Sequence, residues 1–273
     1  MKYFVKTSDN SRIAVEDLNS EAEKTILFIH GWPLNHSVYE YQLNFFPSKG
    51  YRCVAIDLRG YGDSDRPYNG YDYNTMAADI KKVIDVLKLN DITLVGHSMG
   101  GAISIRYMSN YNGHGVSNLC LIGAAAPSWV KTREVPYGYT DSEVTTFINA
   151  SLNDRPKFIS GISDLFFYQY VSQPLLNWFN NIALSASPWA TTQGLISLKN
   201  ERLFNDIPKI KVPTLILHGI QDKVCPYEFA EYLDENIEIS ILIPLKESGH
   251  AAFIEEKDIV NDTLLNFMEN KLK

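Results

Sequence analysis

The sequence predicts an α/β fold: a mostly parallel sheet of eight strands flanked by helices and interrupted by one inserted helical segment. Three observations carry this reading. Short apolar, β-rich runs at 25–29, 52–56 and 119–122 alternate with stretches of helical spacing, the rhythm of βαβ units. That rhythm stops between Pro127 and Ile207 and resumes at Pro213. Finally, Gly96-His97-Ser98-Met99-Gly100 is a G-x-S-x-G that stands where the apolar run 92–95 hands over to helical spacing from Gly101. A serine on so tight a strand-to-helix turn is the arrangement of a nucleophile elbow. The flanking positions have no room for a Cβ, and the hydroxyl sits at a helix N-terminus, where free N–H groups and the helix dipole favour developing negative charge.

Taken in order, residues 3–6 and 12–17 flank the turn-forming Ser8-Asp9-Asn10-Ser11, which predicts an antiparallel hairpin at a sheet edge. The continuous apolar run 25–29 suits a buried parallel strand. A helix is expected over 35–48, then a strand over 52–56 that ends in Asp57-Leu58-Arg59-Gly60-Tyr61-Gly62-Asp63-Ser64. Met76, Ile80, Val83, Ile84 and Leu87 give residues 75–89 the period of an amphipathic helix. The elbow strand and helix follow, then a strand over 119–122. Residues 127–207 contain helix-like runs and 13 Phe, Trp or Tyr in 81 positions, against 20 in the other 192. This segment is expected to be a helical cap (127–207) on a core formed by 1–126 and 208–273, some of its aromatics filling its own interior and others lining an acyl pocket. Beyond it come a buried strand at 213–219, the loop 220–226, a helix over 227–235 and a strand over 239–243. The loop that reaches His250 and one amphipathic helix over 254–271 close the chain.

Composition narrows the function. The 273 residues suit one large domain, and a hydrophobic content of 45% supplies a full core. A net charge of −7, with no Lys/Arg run, argues against a nucleic-acid partner. No segment approaches the ~18 apolar residues of a membrane span, and the N-terminus lacks a signal-peptide apolar region, so a cytoplasmic protein with no membrane partner is expected. Of three cysteines, Cys53 and Cys120 lie in apolar strands and read as buried thiols, while Cys225 lies in a loop, open to partial exposure. No Cys/His cluster suggests a metal. Self-association is left open.

A serine hydroxyl needs a base to take its proton and an acid to orient that base. In this architecture the chain order is serine, acid, histidine, each after a later strand. Of the six histidines only His250 lies beyond both Ser98 and a plausible acid loop, and Asp222 follows the Leu215-Ile216-Leu217 strand by a short turn. Glu228 and Glu231, on a predicted helix, are weaker alternatives. Oxyanion donors are expected from the backbone N–H of Met99, after the nucleophile, and of Trp32 in the loop His30-Gly31-Trp32-Pro33, since Pro33 has no N–H. His30, His97 and His218 read as structural, and activity is expected to fall below about pH 6.5 as the base gains a proton.

The chain resembles the α/β-hydrolases, and among them the bacterial cofactor-free haloperoxidase (perhydrolase) and arylesterase family. The resemblance rests on His30-Gly31-Trp32-Pro33, the 57–64 motif, Tyr71-Asp72-Tyr73-Asn74-Thr75-Met76-Ala77-Ala78-Asp79, Gly96-His97-Ser98-Met99-Gly100-Gly101, His218-Gly219-Ile220-Gln221-Asp222 and Ser248-Gly249-His250. It spans nearly all the chain outside 127–207 and implies a Ser98/Asp222/His250 triad with the Trp32 and Met99 amides as oxyanion hole. It implies a small-molecule ester substrate, perhydrolysis as a side activity, and no metal, haem or nucleotide. The serine argues against relatives that open epoxides or remove halide with an aspartate. It leaves C–C hydrolases, lactonases, thioesterases and cyanohydrin lyases with the same triad as alternatives, together with hydrolase-fold small-molecule receptors. Neither a P-loop nor a dinucleotide motif is present at the elbow.

Overall fold

The computed structural model describes residues 1–271. Eight strands form one sheet: β1 (Lys2–Lys6), β2 (Arg12–Leu18), β3 (Lys24–Ile29), β4 (Tyr51–Ile56), β5 (Ile92–His97), β6 (Val116–Ile122), β7 (Thr214–Gly219) and β8 (Ser240–Leu245). Their spatial order is β1-β2-β4-β3-β5-β6-β7-β8, with β1, β2 and β4 paired antiparallel and every later pair parallel. The central strands are buried along almost their whole length because helices cover the sheet; β5 is buried at all six residues. At the edge, Thr7 donates its N–H to the Ser11 carbonyl and Asn10 takes a positive φ of 69°, which closes the expected hairpin.

Helices α1 (Glu40–Ser48), α2 (Tyr73–Val86) and α3 (Met99–Tyr111) lie between strands of the first half. Asp72 caps α2 by accepting the Thr75 N–H at 2.9 Å, which starts the helix two residues earlier than its apolar period suggests. The expected helix over 35–48 is divided: a 3-10 turn at His36–Tyr39, capped by Asn35, precedes α1. Four helices then separate β6 from β7: α4 (Asp141–Asn153), α5 (Arg155–Ser163), α6 (Gln173–Leu184) and α7 (Pro188–Asn200). Each starts at a side-chain cap, Thr140, Asp154, Ser172 and Ser187, and proline stands in the first turn of α5, α6 and α7. α8 (Glu228–Asn236) packs on β7 and β8.

The carboxyl-terminal helix departs from expectation. In place of one helix over 254–271 the chain makes α9 (Ala252–Glu255) and α10 (Lys257–Met268), broken at Glu256 (φ −112°, ψ 41°). The cause lies in two carboxylates. Glu255 and Glu256 turn back onto the preceding loop, where Glu255 accepts the Gly249 N–H at 2.7 Å and Glu256 accepts the Glu247 N–H at 3.1 Å. Among the described residues no helix is long and apolar enough to cross a membrane.

Candidate active site

Ser98, Asp222 and His250 follow β5, β7 and β8, and the Trp32 loop follows β3, so one end of the parallel sheet gathers all of them. Ser98 has φ 54° and ψ −122°, a left-handed conformation that a non-glycine residue adopts only when its surroundings enforce it. Those surroundings are the glycines, and their role is space rather than dihedral freedom. A Cβ on Gly96 would lie 2.7 Å from the Gly100 carbonyl oxygen, and one on Gly100 would collide with the Ile29 and His30 carbonyls. The positive φ falls on the serine itself, whereas neither glycine has one.

His250 is fully buried, and its Nδ1 lies 2.7 Å from Asp222 Oδ2. The other Asp222 oxygen accepts the Val224 and Cys225 N–H groups, each at 2.8 Å. Burial alone would push this carboxyl upward. The charge of His250, with hydrogen bonds from His218 and His250, outweighs it and holds Asp222 well below the usual carboxylate range. An ionised Asp222 fixes Nδ1 as the protonated ring nitrogen and leaves Nε2 as the acceptor. Nε2 has no hydrogen-bond partner among the described residues, a costly state for a buried nitrogen unless a reacting group uses it. Ser98 makes no hydrogen bond to it here; such bonds are often long in ligand-free sites and tighten around substrate. The Trp32 and Met99 backbone N–H groups likewise donate to no acceptor among the described residues.

The other histidines separate by contact. Leu58 donates its N–H to His30 Nε2 at 2.9 Å, and His30 Nδ1 donates to the Gly31 carbonyl at 2.9 Å; burial lowers this ring to about 4, so it stays neutral and braces the loop. His97 Nε2 lies 3.1 Å from the His250 carbonyl, and burial holds the ring well below its ordinary value. His218 touches the acid: its Nε2 is 3.4 Å from Asp222 Oδ2 and 2.8 Å from the Cys225 carbonyl. Cys225 is fully buried, contrary to its expected partial exposure, because its N–H is committed to Asp222. Burial pushes its thiol well above the usual range. Glu228 and Glu231 lie on α8, away from the acid position that Asp222 occupies.

Three residues had no signal in the sequence. The Phe166 ring stands edge-on to His250 with centroids 4.7 Å apart. At Gly123 (φ 52°) a Cβ would come within 3.3 Å of His250 Nδ1 and 3.4 Å of Asp222 Oδ2. Glu255 ties two segments together. One oxygen accepts the Tyr168 and Gln169 N–H groups, the other the Gly249 N–H, all at 2.7 Å. Burial pushes its carboxyl up, and these three bonds oppose the shift. None of the three belongs to a short motif; each acts through contacts between distant parts of the chain.

A hydroxyl on a strained elbow, a buried imidazole oriented by an ionised carboxylate, and two free amides are what acyl transfer requires. Among the described residues no group of three or more His, Cys, Asp or Glu is placed to hold a metal ion. Comparison with known proteins agrees with the architecture. The model of the alpha/beta hydrolase fold family matches residues 24–257. An AB hydrolase superfamily protein YisY from Bacillus subtilis is 45% identical over 98% of this chain and 99% of its own length. A non-heme haloperoxidase from Rhodococcus erythropolis is 32% identical over 98% and 99%. The solved esterase EaEST from Exiguobacterium antarcticum superposes with a TM-score of 0.96 at 43% identity, covering 98% of this chain and 100% of that one. The chain belongs to the alpha/beta hydrolase fold family and is a hydrolase of its esterase and haloperoxidase type.

Proposed function

We propose that this hydrolase cleaves carboxylic esters of small acyl or aryl substrates through a serine acyl-enzyme. The observation that carries the reading is the buried His250–Asp222 pair, at 2.7 Å, with His250 Nε2 unpartnered at the end of the sheet where the Ser98 elbow stands. In this reading His250 takes the Ser98 proton as Oγ attacks the ester carbonyl. The Trp32 and Met99 amides hold the resulting oxyanion, and His250 gives the proton to the departing alcohol. Water, activated by the same imidazole, then releases the acid. Hydrogen peroxide in place of water would give a peracid, a side activity supported by the haloperoxidase relative. The helices between β6 and β7 act as the cap, and free, buried thiols support a reducing, cytoplasmic setting.

The test is a panel of p-nitrophenyl esters on wild type and Ser98→Ala, with and without hydrogen peroxide. Turnover in wild type that Ser98→Ala abolishes supports the mechanism; turnover that survives the substitution overturns it. Stoichiometric acylation without turnover would point instead to a small-molecule receptor on the same fold.

A further inference from the structure

We propose that His218 is a positioning residue for the acid of the triad: its Nε2–H completes a socket of donors around Asp222 and sets the pH at which His250 becomes available as a base. The inference rests on the serine-hydrolase reading and gives that site a working residue outside the triad. The socket starts in the acid loop, where Asp222 Oδ1 accepts the Val224 and Cys225 N–H groups, each at 2.8 Å. In a trans peptide the N–H and the C=O point opposite ways, so whatever holds the carbonyl aims the amide. The Val224 amide shares its peptide with the Lys223 carbonyl, which accepts the Tyr139 hydroxyl at 2.9 Å. The Cys225 amide shares its peptide with the Val224 carbonyl, which accepts the Trp129 indole N–H at 2.9 Å. Two side chains from the segment between β6 and α4 thus hold the two peptides that face the carboxylate.

The next peptide breaks the series, because Pro226 has no N–H to offer. His218, near the end of β7, supplies a donor in its place. Its Nε2 lies 2.8 Å from the Cys225 carbonyl of that peptide and 3.4 Å from Asp222 Oδ2. Both neighbours are acceptors, so the ring proton sits on Nε2 and is shared between them. Nδ1 has no partner among the described residues. One imidazole therefore closes the acid loop and also faces the oxygen that receives His250 Nδ1 at 2.7 Å. With two rings on Oδ2, the His218 proton draws off part of the negative charge that would otherwise stabilise an imidazolium at 250. The consequence is a base that stays neutral, and so able to accept the Ser98 proton, to lower pH. The surrounding groups do not supply this effect. Burial keeps the Cys225 thiol and the Tyr139 hydroxyl protonated and the His97 ring, 4.7 Å from His250, neutral. The Tyr227 ring stands edge-on to His218 at 5.9 Å, its hydroxyl also pushed up by burial, and Lys223 is exposed.

The test is the pH profile of kcat/KM on p-nitrophenyl acetate with the full chain. His218→Phe keeps an aromatic ring and removes the donor. Its acid limb moves up by about half a pH unit and its plateau kcat falls about tenfold, with KM little changed. His218→Gln, whose amide nitrogen reaches the place of Nε2, returns the limb to its wild-type position. Tyr139→Phe, which loosens only the aim of one amide, moves the limb less than His218→Phe. A limb that His218→Phe leaves in place overturns the proposal and makes His218 a brace of the loop alone. So does a limb that His218→Gln fails to restore, or an equal shift in Tyr139→Phe. Should His218→Phe fold poorly, His218→Asn, whose amide stops short of the carboxylate, replaces it in the same comparison. Should wild type turn over no ester, or should turnover survive Ser98→Ala, the serine reading fails first. His218 is then tested by nuclear magnetic resonance on protein carrying isotope-labelled histidine, with the His250 signal assigned from His250→Gln. A His250 titration midpoint that rises in His218→Phe supports the proposal, and an unchanged midpoint overturns it.

Discussion

The sheet's carboxyl end and the helices between β6 and β7 are built on opposite terms. Around Ser98 almost no volume is free: a Cβ on Gly31 would lie 2.7 Å from Ser98 Cβ and 2.8 Å from His97 Nδ1. Around Gly161, exposed on α5, an added Cβ meets only solvent. The first region is held by hydrogen bonds between buried groups and by left-handed backbone, the second by aromatic packing and helix caps. The difference teaches where change is tolerated. Substitutions at the tightly packed end of the sheet are expected to disturb backbone geometry, whereas exposed positions on the helices between β6 and β7 have room for side chains of several sizes.

The sharpest way to break that comparison is at the acid. Asp222→Asn is expected to lower kcat by about 10⁴ with little change in KM, because the imidazole loses its fixed tautomer; steady-state kinetics on p-nitrophenyl acetate measures it. The same carboxyl gives a pH signature. Its folded pKa lies below the unfolded value near 3.9. Its contribution to stability is therefore full above that range and is lost as pH falls through the folded value. The stability advantage of wild type over Asp222→Asn should shrink below about pH 4 in urea titrations, and the acid limb of kcat/KM should have a slope of one, for a single proton. A slope of two would mean that Asp222 titrates with the base.

Next in size is Gly31→Ala. Its Cβ would displace the Ser98 side chain, so kcat/KM is expected to fall about 100-fold on every ester alike. A chain-length-dependent loss would erase the distinction between the two regions. Smaller again is Glu255→Gln, which exchanges one acceptor oxygen for a donor beside three N–H groups. Hydrogen bonds to charged groups are worth about 1.5–3 kcal/mol, so a loss of about tenfold in kcat is expected, with KM also raised because the residue joins the base loop to the cap. An effect on KM alone would assign Glu255 to the cap and free the base loop from it.

Legibility in the sequence follows the same division. Ser98, Asp222 and His250 are readable because each is tied to a strand end, and strand ends follow from apolar runs and glycine. Trp32 is assigned as the proposed oxyanion donor because Pro33 removes the neighbouring N–H. The break at Glu256 is not, since the helical period runs through it and only the loop amides of Glu247 and Gly249 divert the two carboxylates. Nor is Phe166, whose ring reaches His250 from a segment 84 positions earlier with no periodic pattern to mark it. Nor is the burial of Cys225, since its loop position suggests solvent whereas its amide is bound to a buried acid.

One further consequence follows from Trp32. Its indole N–H donates to the Thr191 carbonyl of α7 at 2.8 Å, and α7 comes so near only because position 194 is glycine, where a Cβ would lie 2.5 Å from the indole. The residue whose amide is proposed to hold the oxyanion is thus riveted to the last helix of the insertion. A chimera that grafts another protein's insertion between β6 and β7 would pull that rivet and loosen the oxyanion loop with it. A graft that keeps α7, which packs on α4 as well as on the Trp32 loop, is expected to preserve the oxyanion loop better than one that replaces it.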